Sequence, residues 1–281
     1  FNLARGSAYI SISGFVITRG FWAAIWSNND AHHIRISSNR IEFIGNRAET
    51  SRYGIAAIYT GAESTDFVID GNVIHDVGRA GGAFLWHDHG IYIHGRNYTI
   101  VNNLLYNIKA GWPITPVGPL SNVLIANNTF AFANPIRDGH IAVGEGDVSG
   151  LVIRNNIFYQ PRGAAIVTCN VTYSGENVVE NNMVNGAVLL GPEICGSSSG
   201  LNTITVRNNP FNNPAFVNPT VPPYDFTLRP ESPAIDAGLL IPEVPADARG
   251  TLRPQGAAFD LGAYEFTPPL GAYIRRLPVR R

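Results

Sequence analysis

Residues 90–107 read Gly-Ile-Tyr-Ile-His-Gly-Arg-Asn-Tyr-Thr-Ile-Val-Asn-Asn-Leu-Leu-Tyr-Asn, and they contain the pattern on which most of the chain is built. Ile91 and Ile93 alternate with Tyr92 and His94, which predicts a short strand with one apolar side. A turn, a second strand that ends at an Asn pair and a third strand follow. Because three short strands cannot bury their apolar side alone, the unit is expected to stack on copies of itself.

Copies of the second strand and its turn recur along the chain at intervals of 24 to 33 residues. The aligned turn positions are Phe15, Asn39, Asn72, Asn103, Asn128, Asn156, Asn182 and Asn209. An Asn side chain tolerates a bent backbone and can hydrogen-bond to the same amide one coil above and one coil below. The sequence therefore predicts a solenoid without helices, in which an internal Asn ladder begins or ends beside Phe15.

This repeat resembles the right-handed parallel β-helix of pectate-lyase-like proteins, and the resemblance covers roughly residues 7–213. It implies an all-β fold, a right-handed parallel β-helix solenoid of about seven coils with an Asn ladder. The fold does not by itself imply an activity, because it hosts lyases, hydrolases, epimerases, adhesins and phage tailspikes.

The repeat stops after Asn209, and a Pro-rich segment follows. Residues 225–238 have the form D-x-x-L-x-x-x-S-P-A-I-D-A-G, and residues 260–265 have the form D-x-G-A-Y-E. Both resemble the tail of secreted bacterial β-helix proteins, which implies a bacterial protein that is secreted or held at the cell surface. We expect this tail to form an irregular C-terminal cap over the last open sheet edge.

The domain organisation follows from these boundaries: a β-helix at 1–213, a capping segment at 214–266 and a basic tail at 267–281. Within the capping segment, Asp236, Asp247 and Asp260 are predicted to be turn and capping residues rather than catalysts.

Composition excludes some partners. The formal net charge is −1, and no basic stripe is present to neutralise phosphates, so nucleic acid is not expected as the main partner. No apolar run is long enough to cross a bilayer. The sequence begins at Phe1 inside what reads as a first coil, so the open end is expected to need a cover. Self-association through an uncapped N-terminal coil is one such expectation.

The two cysteines of the chain, Cys169 and Cys195, follow equivalent strands of neighbouring coils. A disulfide there would close a loop of about 25 residues and stabilise the fold by roughly 3 kcal/mol. Two reduced, buried thiols are the alternative.

The first strand of each coil is predicted to stack an aliphatic column inward and an aromatic row outward. The inward column comprises Ile25, Ile58, Ile93, Val143, Ile166 and Leu189. The outward row contains Trp26, Tyr59 and His94, with Tyr92 beside it. Because stacked strands lie about 4.8 Å apart, these rings form a continuous exposed row, and such rows suit the apolar faces of sugar rings.

Long loops at 45–53 and 76–89 precede this strand in consecutive coils, and loops of unequal length beside a rigid scaffold favour a site. The second loop brings His87, Asp88 and His89 close to His94 in the sequence. We predict His87 and Asp88 as metal ligands, and His89 and His94 as catalytic groups. The alternative is a loop whose histidines only fix its turn.

Further polar residues are expected on the same face from the next two coils: Lys109 with Trp112, and Arg137 with His140. In β-helix polysaccharide lyases a Lys or Arg removes the proton beside a uronate carboxylate, while another cation or Ca²⁺ neutralises that carboxylate. By this resemblance Lys109 and Arg137 are candidate catalytic residues, and Ca²⁺ is a candidate cofactor. Ordinary solvated loop charges are the alternative.

Taken together, the sequence predicts an extracellular carbohydrate-active protein, similar to a polysaccharide lyase, that binds a glycan along the first parallel sheet. The expected substrate-binding residues are Trp26, Tyr59, Tyr92, Trp112 and His140. The alternative from a different class is a non-catalytic surface or matrix protein that self-assembles through its solenoid ends.

Overall fold

The computed structural model describes residues 1–45, 54–79, 87–132 and 136–268, and the chain folds into stacked coils of three parallel strands. The first strands of successive coils are β1 (Asn2–Leu3), β4 (Ala23–Ser27), β7 (Ile55–Thr60), β10 (Asp88–Val101), β12 (Ile114–Ala126), β14 (Ile141–Arg154), β16 (Ala164–Ser174) and β19 (Val188–Cys195). The second strands are β2 (Ala8–Ser13), β5 (His32–Ser37), β8 (Thr65–Asp70), the later halves of β10, β12 and β14, then β17 (Asn177–Glu180) and β20 (Ile204–Arg207). The third strands are β3 (Val16–Thr18), β6 (Arg40–Glu42), β9 (Val73–Val77), β11 (Leu104–Ile108), β13 (Thr129–Ala131), β15 (Ile157–Tyr159) and β18 (Met183–Asn185).

The strands form two large parallel sheets. Because β10, β12 and β14 continue around the corner, the first and second strands join into one sheet of thirteen strands. The third strands form a sheet of seven, which confirms the predicted right-handed parallel β-helix of about seven coils.

The aliphatic column inside the first sheet has a different register from the predicted one. Ile58 pairs with Ile91, and pairing continues through Ile114 and Ile141 to Ile166. Ile93, Val143 and Leu189 are buried too, but Ile93 and Val143 lie two residues further along their strands. A period of two leaves an alignment ambiguous by two residues, because both alternatives face the core.

The predicted Asn ladder is confirmed at the corner between the second and third strands. Each side-chain amide from Asn39 to Asn182 donates to the side-chain oxygen of the next ladder residue, at 2.9–3.0 Å. The same oxygens accept backbone N–H groups, including that of Phe15, where the ladder begins. The ladder therefore satisfies buried backbone groups that a bent chain would otherwise leave unpaired.

A second Asn precedes the ladder residue in five coils, and in four of them it bonds the C-terminal segment. Asn102, Asn127, Asn155 and Asn181 have φ values of 50–56°, a conformation that Asn tolerates better than most residues. Their amides donate to backbone oxygens of the C-terminal segment, at Ala246, Asp260, Leu239 and Ala237 respectively. The Asn-Asn doublets thus serve both the interior and the attachment of this segment.

The expectation that the C-terminal segment covers the last sheet edge is wrong. The segment contains an antiparallel pair, β21 (Phe216–Asn218) and β22 (Asp225–Leu228), and it packs along the flank of the solenoid. Its apolar side chains cover the outward side of the third sheet, including Leu104 and Ile157. Val206 in the last coil remains 45% exposed. The third sheet is apolar on both sides, so its outer side needs a cover more than the edge does.

The acids of this segment hold turns, as predicted. Asp247 accepts the N–H groups of Arg249 and Thr251, and Asp260 accepts those of Asp236 and Phe266. Burial raises the pKa of Asp260 to about 6.

Cys169 and Cys195 form a disulfide between paired positions of β16 and β19, with their Cα atoms 4.7 Å apart. Of the two alternatives left by the sequence, the structure has the bonded one. Tyr9, Phe15 and Val16 on the first coil are exposed. Across the described ranges, no helix is long and apolar enough to cross a membrane.

Candidate functional site

Six successive first strands, from β4 to β16, each place one residue at the same position on the outer side of the first sheet, and we call this series the outward row. It comprises Trp26, Tyr59, Tyr92, Thr115, Ala142 and Val167. Tyr92 pairs with Tyr59, so His94 is not in the row as predicted but lies two residues beyond it on the same face. The error has the same cause as that in the aliphatic column.

The aromatic members of the outward row stack on one another along the solenoid axis. The ring centroids of Trp26 and Tyr59 are 3.9 Å apart with planes at 15°, and those of Tyr59 and Tyr92 are 5.7 Å apart at 7°. Each ring therefore covers the face of the next, so the outward row presents ring edges and hydroxyl groups. We call the surface along the outward row the groove. The expected platform of exposed ring faces for sugars is absent at Tyr59, which has an aromatic neighbour on either side.

His94 lies at the end of the first-sheet part of β10, beside an irregularity. Pairing with β12 shifts between His94 and Gly95, where β12 has two extra residues. The imidazole meets the Tyr92 ring edge-to-face at 5.1 Å and the Tyr59 ring at 6.2 Å. A cleft of about 490 Å³, which we call the His94 cleft, opens here and is also lined by Glu63, Arg96 and Asp147.

Burial pushes the pKa values of His94 and Tyr92 in opposite directions. It lowers the pKa of the half-buried His94 imidazole, against a smaller opposing effect of Glu145. It raises the pKa of the Tyr92 phenol to about 12, with contributions from Tyr59 and Glu145. Near neutral pH, His94 is therefore a free base while Tyr92 remains protonated, which is the condition for separate base and acid roles.

Glu145, Glu63, Arg96 and Asp147 were not among the predicted site residues. Glu145 is exposed and follows Gly144, which pairs with Val117, the β12 partner of His94. Correct alignment of the coils at His94 would have identified it from the sequence. Arg96 and Glu63 come from corners whose lengths vary, so no repeat position marks them.

His89 does not have the exposure expected of a catalytic group. It is 6% exposed, its Nδ1 lies 2.9 Å from the Thr115 hydroxyl, and its ring packs between Tyr92 and Trp112 at 4.7 and 5.8 Å. Burial lowers its pKa to about 3. His89 thus supports Tyr92 from behind, as a neutral side chain.

The predicted metal ligands do not fit a metal site. Asp88 is fully buried and forms a two-pronged ion pair with Arg79, whose Nε and Nη2 lie 3.0 and 2.8 Å from its oxygens. His87 is half-buried beside Gly54. Within the four described ranges, no group of three His, Cys, Asp or Glu side chains is arranged to hold a metal ion. The Asp88 oxygens are thus taken up by Arg79, and His87 is not the oxygen ligand that Ca²⁺ prefers.

Lys109, Trp112 and Arg137 lie around the corner that precedes the first strand, whereas His94 lies where that strand ends. The Lys109 N–H donates to the Val77 oxygen at 2.8 Å, and the side chain is half-buried, as is that of Arg137. Trp112 is 8% exposed, packs on Ala142 and Val167 and donates to the Asp138 oxygen. Trp112 is thus mainly a packing residue, because its ring is largely covered, while Lys109 and Arg137 stay candidates at the far end of the groove.

His140 was predicted to bind substrate, and that prediction is wrong. Its imidazole is fully buried in the core, with ring centroids 5.8 and 6.1 Å from those of Phe130 and Phe158. Burial lowers its pKa to about 3. The residue precedes β14, where alternation has not yet begun, so its direction could not be inferred from the strand pattern.

The two long loops predicted to flank the groove lie partly outside the described residues. Residues 46–53 and 80–86 belong to this undescribed part. The part of the site that the structure describes comprises the sheet, its corners and residues 87–89.

Comparison with known proteins agrees with the coil geometry. The family model described as "Right handed beta helix region" matches residues 57–220. Among solved structures, "Crystal structure of pectate lyase Pel9A" is similar with a TM-score of 0.41 and 12% sequence identity, over 92% of this chain and 72% of that one. Among curated proteins, none matches at a significant level. With more than half of its length matched by the family model, the chain belongs to the right-handed β-helix family.

Proposed function

We propose that the protein is an extracellular polysaccharide lyase-like enzyme that binds a glycan along the outer side of the first sheet. The observation that carries this proposal is the His94–Tyr92 pair: two adjacent groups on one exposed face whose pKa values burial moves apart. The exposed carboxylate of Glu145 acts electrostatically on both groups.

The pair suits β-elimination of a uronate-containing glycan. Neutral His94 removes the proton beside the sugar carboxylate, and the electrons of that C–H bond form a carbon–carbon double bond as the glycosidic C–O bond breaks. Tyr92 gives its proton to the departing oxygen, so that the charge does not build up on it. One bond to hydrogen and one to oxygen are lost, and an unsaturated sugar and a new chain end are formed.

Cations at both ends of the groove support an acidic substrate. Arg96 lines the His94 cleft, and Lys109 and Arg137 lie at the opposite corner. A guanidinium beside the uronate carboxylate would neutralise it and acidify the neighbouring C–H bond. The aromatic edges between the two ends offer the Tyr59 and Tyr92 hydroxyls as hydrogen-bond partners for sugar hydroxyls.

Secretion or display at the cell surface is part of the proposal. The Cys169–Cys195 disulfide supports it, because such bonds persist mainly in oxidising compartments.

The test is a screen of uronate-containing and neutral polysaccharides, measured by the absorbance of the unsaturated product and by reducing ends. The wild-type protein should release unsaturated product from at least one uronate-containing glycan. His94→Ala and Tyr92→Phe should lose that activity, while the matched controls His33→Ala and Tyr9→Phe, both exposed and outside the groove, should retain it. Reducing ends without unsaturated product would contradict elimination and indicate hydrolysis.

A second candidate is a non-catalytic matrix protein that stacks end to end. Exposed apolar side chains at both ends of the solenoid favour it: Tyr9 and Val16 on the first coil, and Val206 and Phe211 on the last. Filaments in electron micrographs, together with no activity on any glycan, would favour this function over the first.

A further inference from the structure

We infer that Thr60 and Tyr98, two core residues, are positioning residues for His94, because their hydroxyl groups hold both polar groups of its backbone. The inference deepens the proposed function and rests on it for the role of His94. We call the two side chains the hydroxyl clamp.

The clamp lies where the regular backbone pairing between strands is interrupted. Pairing of β10 with β7 ends at Tyr92, so the His94 N–H has no backbone partner in β7. Pairing with β12 shifts directly after His94. Gly95 has a φ of 104°, and a Cβ there would stand 1.9 Å from the Ser64 oxygen, so the bend requires glycine. At such a bend, strand pairing alone does not fix the backbone of His94.

Three hydrogen bonds that involve side chains take the place of the missing strand pairing. The His94 N–H donates to the Thr60 hydroxyl at 3.1 Å. The Tyr98 hydroxyl lies 2.7 Å from the His94 carbonyl oxygen and 2.8 Å from the Thr60 hydroxyl. Both clamp residues are buried, Thr60 at 0% and Tyr98 at 1% exposure.

Proton counting assigns a direction to each bond. The His94 carbonyl can only accept, so the single phenol proton of Tyr98 goes to it. The bond between the two hydroxyls then uses the Thr60 proton, with the Tyr98 oxygen as acceptor. Thr60 in turn accepts from the His94 N–H. The result is a closed ring in which every donor has one acceptor and His94 has both backbone groups satisfied.

The clamp is itself rigid. The Tyr98 ring stacks on Phe67, with centroids 5.2 Å apart and planes at 18°. Thr60 is β-branched and lies at the end of β7, which restricts its side-chain rotation. Burial raises the pKa of Tyr98, so its hydroxyl keeps the proton that the ring of bonds requires. The core thereby fixes the backbone from which the His94 imidazole reaches its cleft.

The experiment uses NMR of the free protein, with no substrate. Thr60→Val removes the clamp hydroxyl at nearly constant shape, and Thr60→Ser restores it. Thr60→Val should speed amide hydrogen exchange at His94 by roughly fivefold or more, the factor for one ordinary hydrogen bond, and Thr60→Ser should return it towards wild type. Tyr98→Phe should shift the His94 ring resonances, because the ring sits at the edges of Tyr92 and Tyr59.

Tyr173→Phe is the matched control, since Tyr173 is also a buried tyrosine but lies in β16, three strands away from β10 in the same sheet. It should leave both His94 signals unchanged. If Thr60→Val and Tyr98→Phe left His94 exchange and ring shifts at wild-type values, the clamp would be refuted. If Tyr98→Phe failed to fold, the Thr60→Val and Thr60→Ser pair would decide. These readings do not depend on turnover, so a clamp without lyase activity would refute only the proposed function.

Discussion

The Asn ladder and the outward row both run along the solenoid, yet the ladder repeats one residue type and the outward row does not. In the ladder, each side-chain amide from Asn39 to Asn182 donates to the side-chain oxygen of the next ladder residue. In the outward row, rings give way after Tyr92 to Thr115 and Ala142. Repeating the same Asn satisfies the buried backbone groups of every coil. Changing the residue in the outward row gives one coil surroundings that the other coils lack. The candidate site lies where the departure is greatest, at the bend after His94.

The largest effect expected on the outward side is on turnover. His94→Ala should lower kcat by about 10²–10⁴, the usual contribution of a positioned acid or base, and leave the unfolding midpoint almost unchanged. Initial rates on the best polysaccharide, with thermal melts of both proteins, measure this. Equal rates in His94→Ala and wild type would show that His94 is not a catalytic residue.

Replacing an Asn of the ladder should instead lower stability. Asn103→Ala removes an amide that bonds Asn128 and the Ile69 and Val101 oxygens, and it should lower the free energy of unfolding by about 1–3 kcal/mol. Denaturant titration measures the loss. Asn2→Ala is the control, because its exposed side chain accepts a hydrogen bond from the Asn28 amide at the protein surface, and it should change stability by less than about 0.5 kcal/mol.

A third prediction concerns pH and the buried His140. Its folded pKa of about 3 lies below the ordinary 6.5, so below pH 6.5 the unfolded chain takes up a proton that the folded chain cannot. Stability should therefore fall with acidification between those values, by about 1.4 kcal/mol per pH unit for this residue, or about 2 kcal/mol at pH 5. Asp260 acts oppositely between 3.8 and about 6.

His140→Phe should remove that part of the acid sensitivity, since Phe fits between Phe130 and Phe158 without a charge to bury. Denaturant midpoints compared at neutral pH and at about pH 5 measure the difference. The same slope in variant and wild type would show that His140 is not neutral in the folded state.

The smallest effect is expected from a ring edge in the outward row. Tyr59→Phe keeps the stack on Trp26 and removes only a hydroxyl at the groove, so the glycan should bind about three- to tenfold more weakly with an unchanged melt. Calorimetry on an uncleaved oligosaccharide would measure it. Unchanged affinity would mean that the glycan does not contact this edge.

The fold was predictable because its signal repeats. Each ladder Asn sits at the same turn, and eight aligned positions outweigh the irregular spacing between them. The site was predictable only in part. His94 and Tyr92 were identified, but their alignment was wrong by two residues because alternation does not distinguish one outward residue from the next. His140 and the C-terminal segment were misplaced because neither lies within a repeated strand, and their positions depend on what the core and the third sheet leave uncovered.

The central claim, that His94 is the base and Tyr92 the acid of one site, is tested most directly by the pH dependence of kcat/KM on a uronate-containing glycan. The lowered pKa of His94 and the pKa of about 12 for Tyr92 predict activity that rises with a midpoint below pH 6.5 and then stays level to at least about pH 10. A rise centred above pH 6.5, or a fall between about pH 7 and 9, would contradict that assignment.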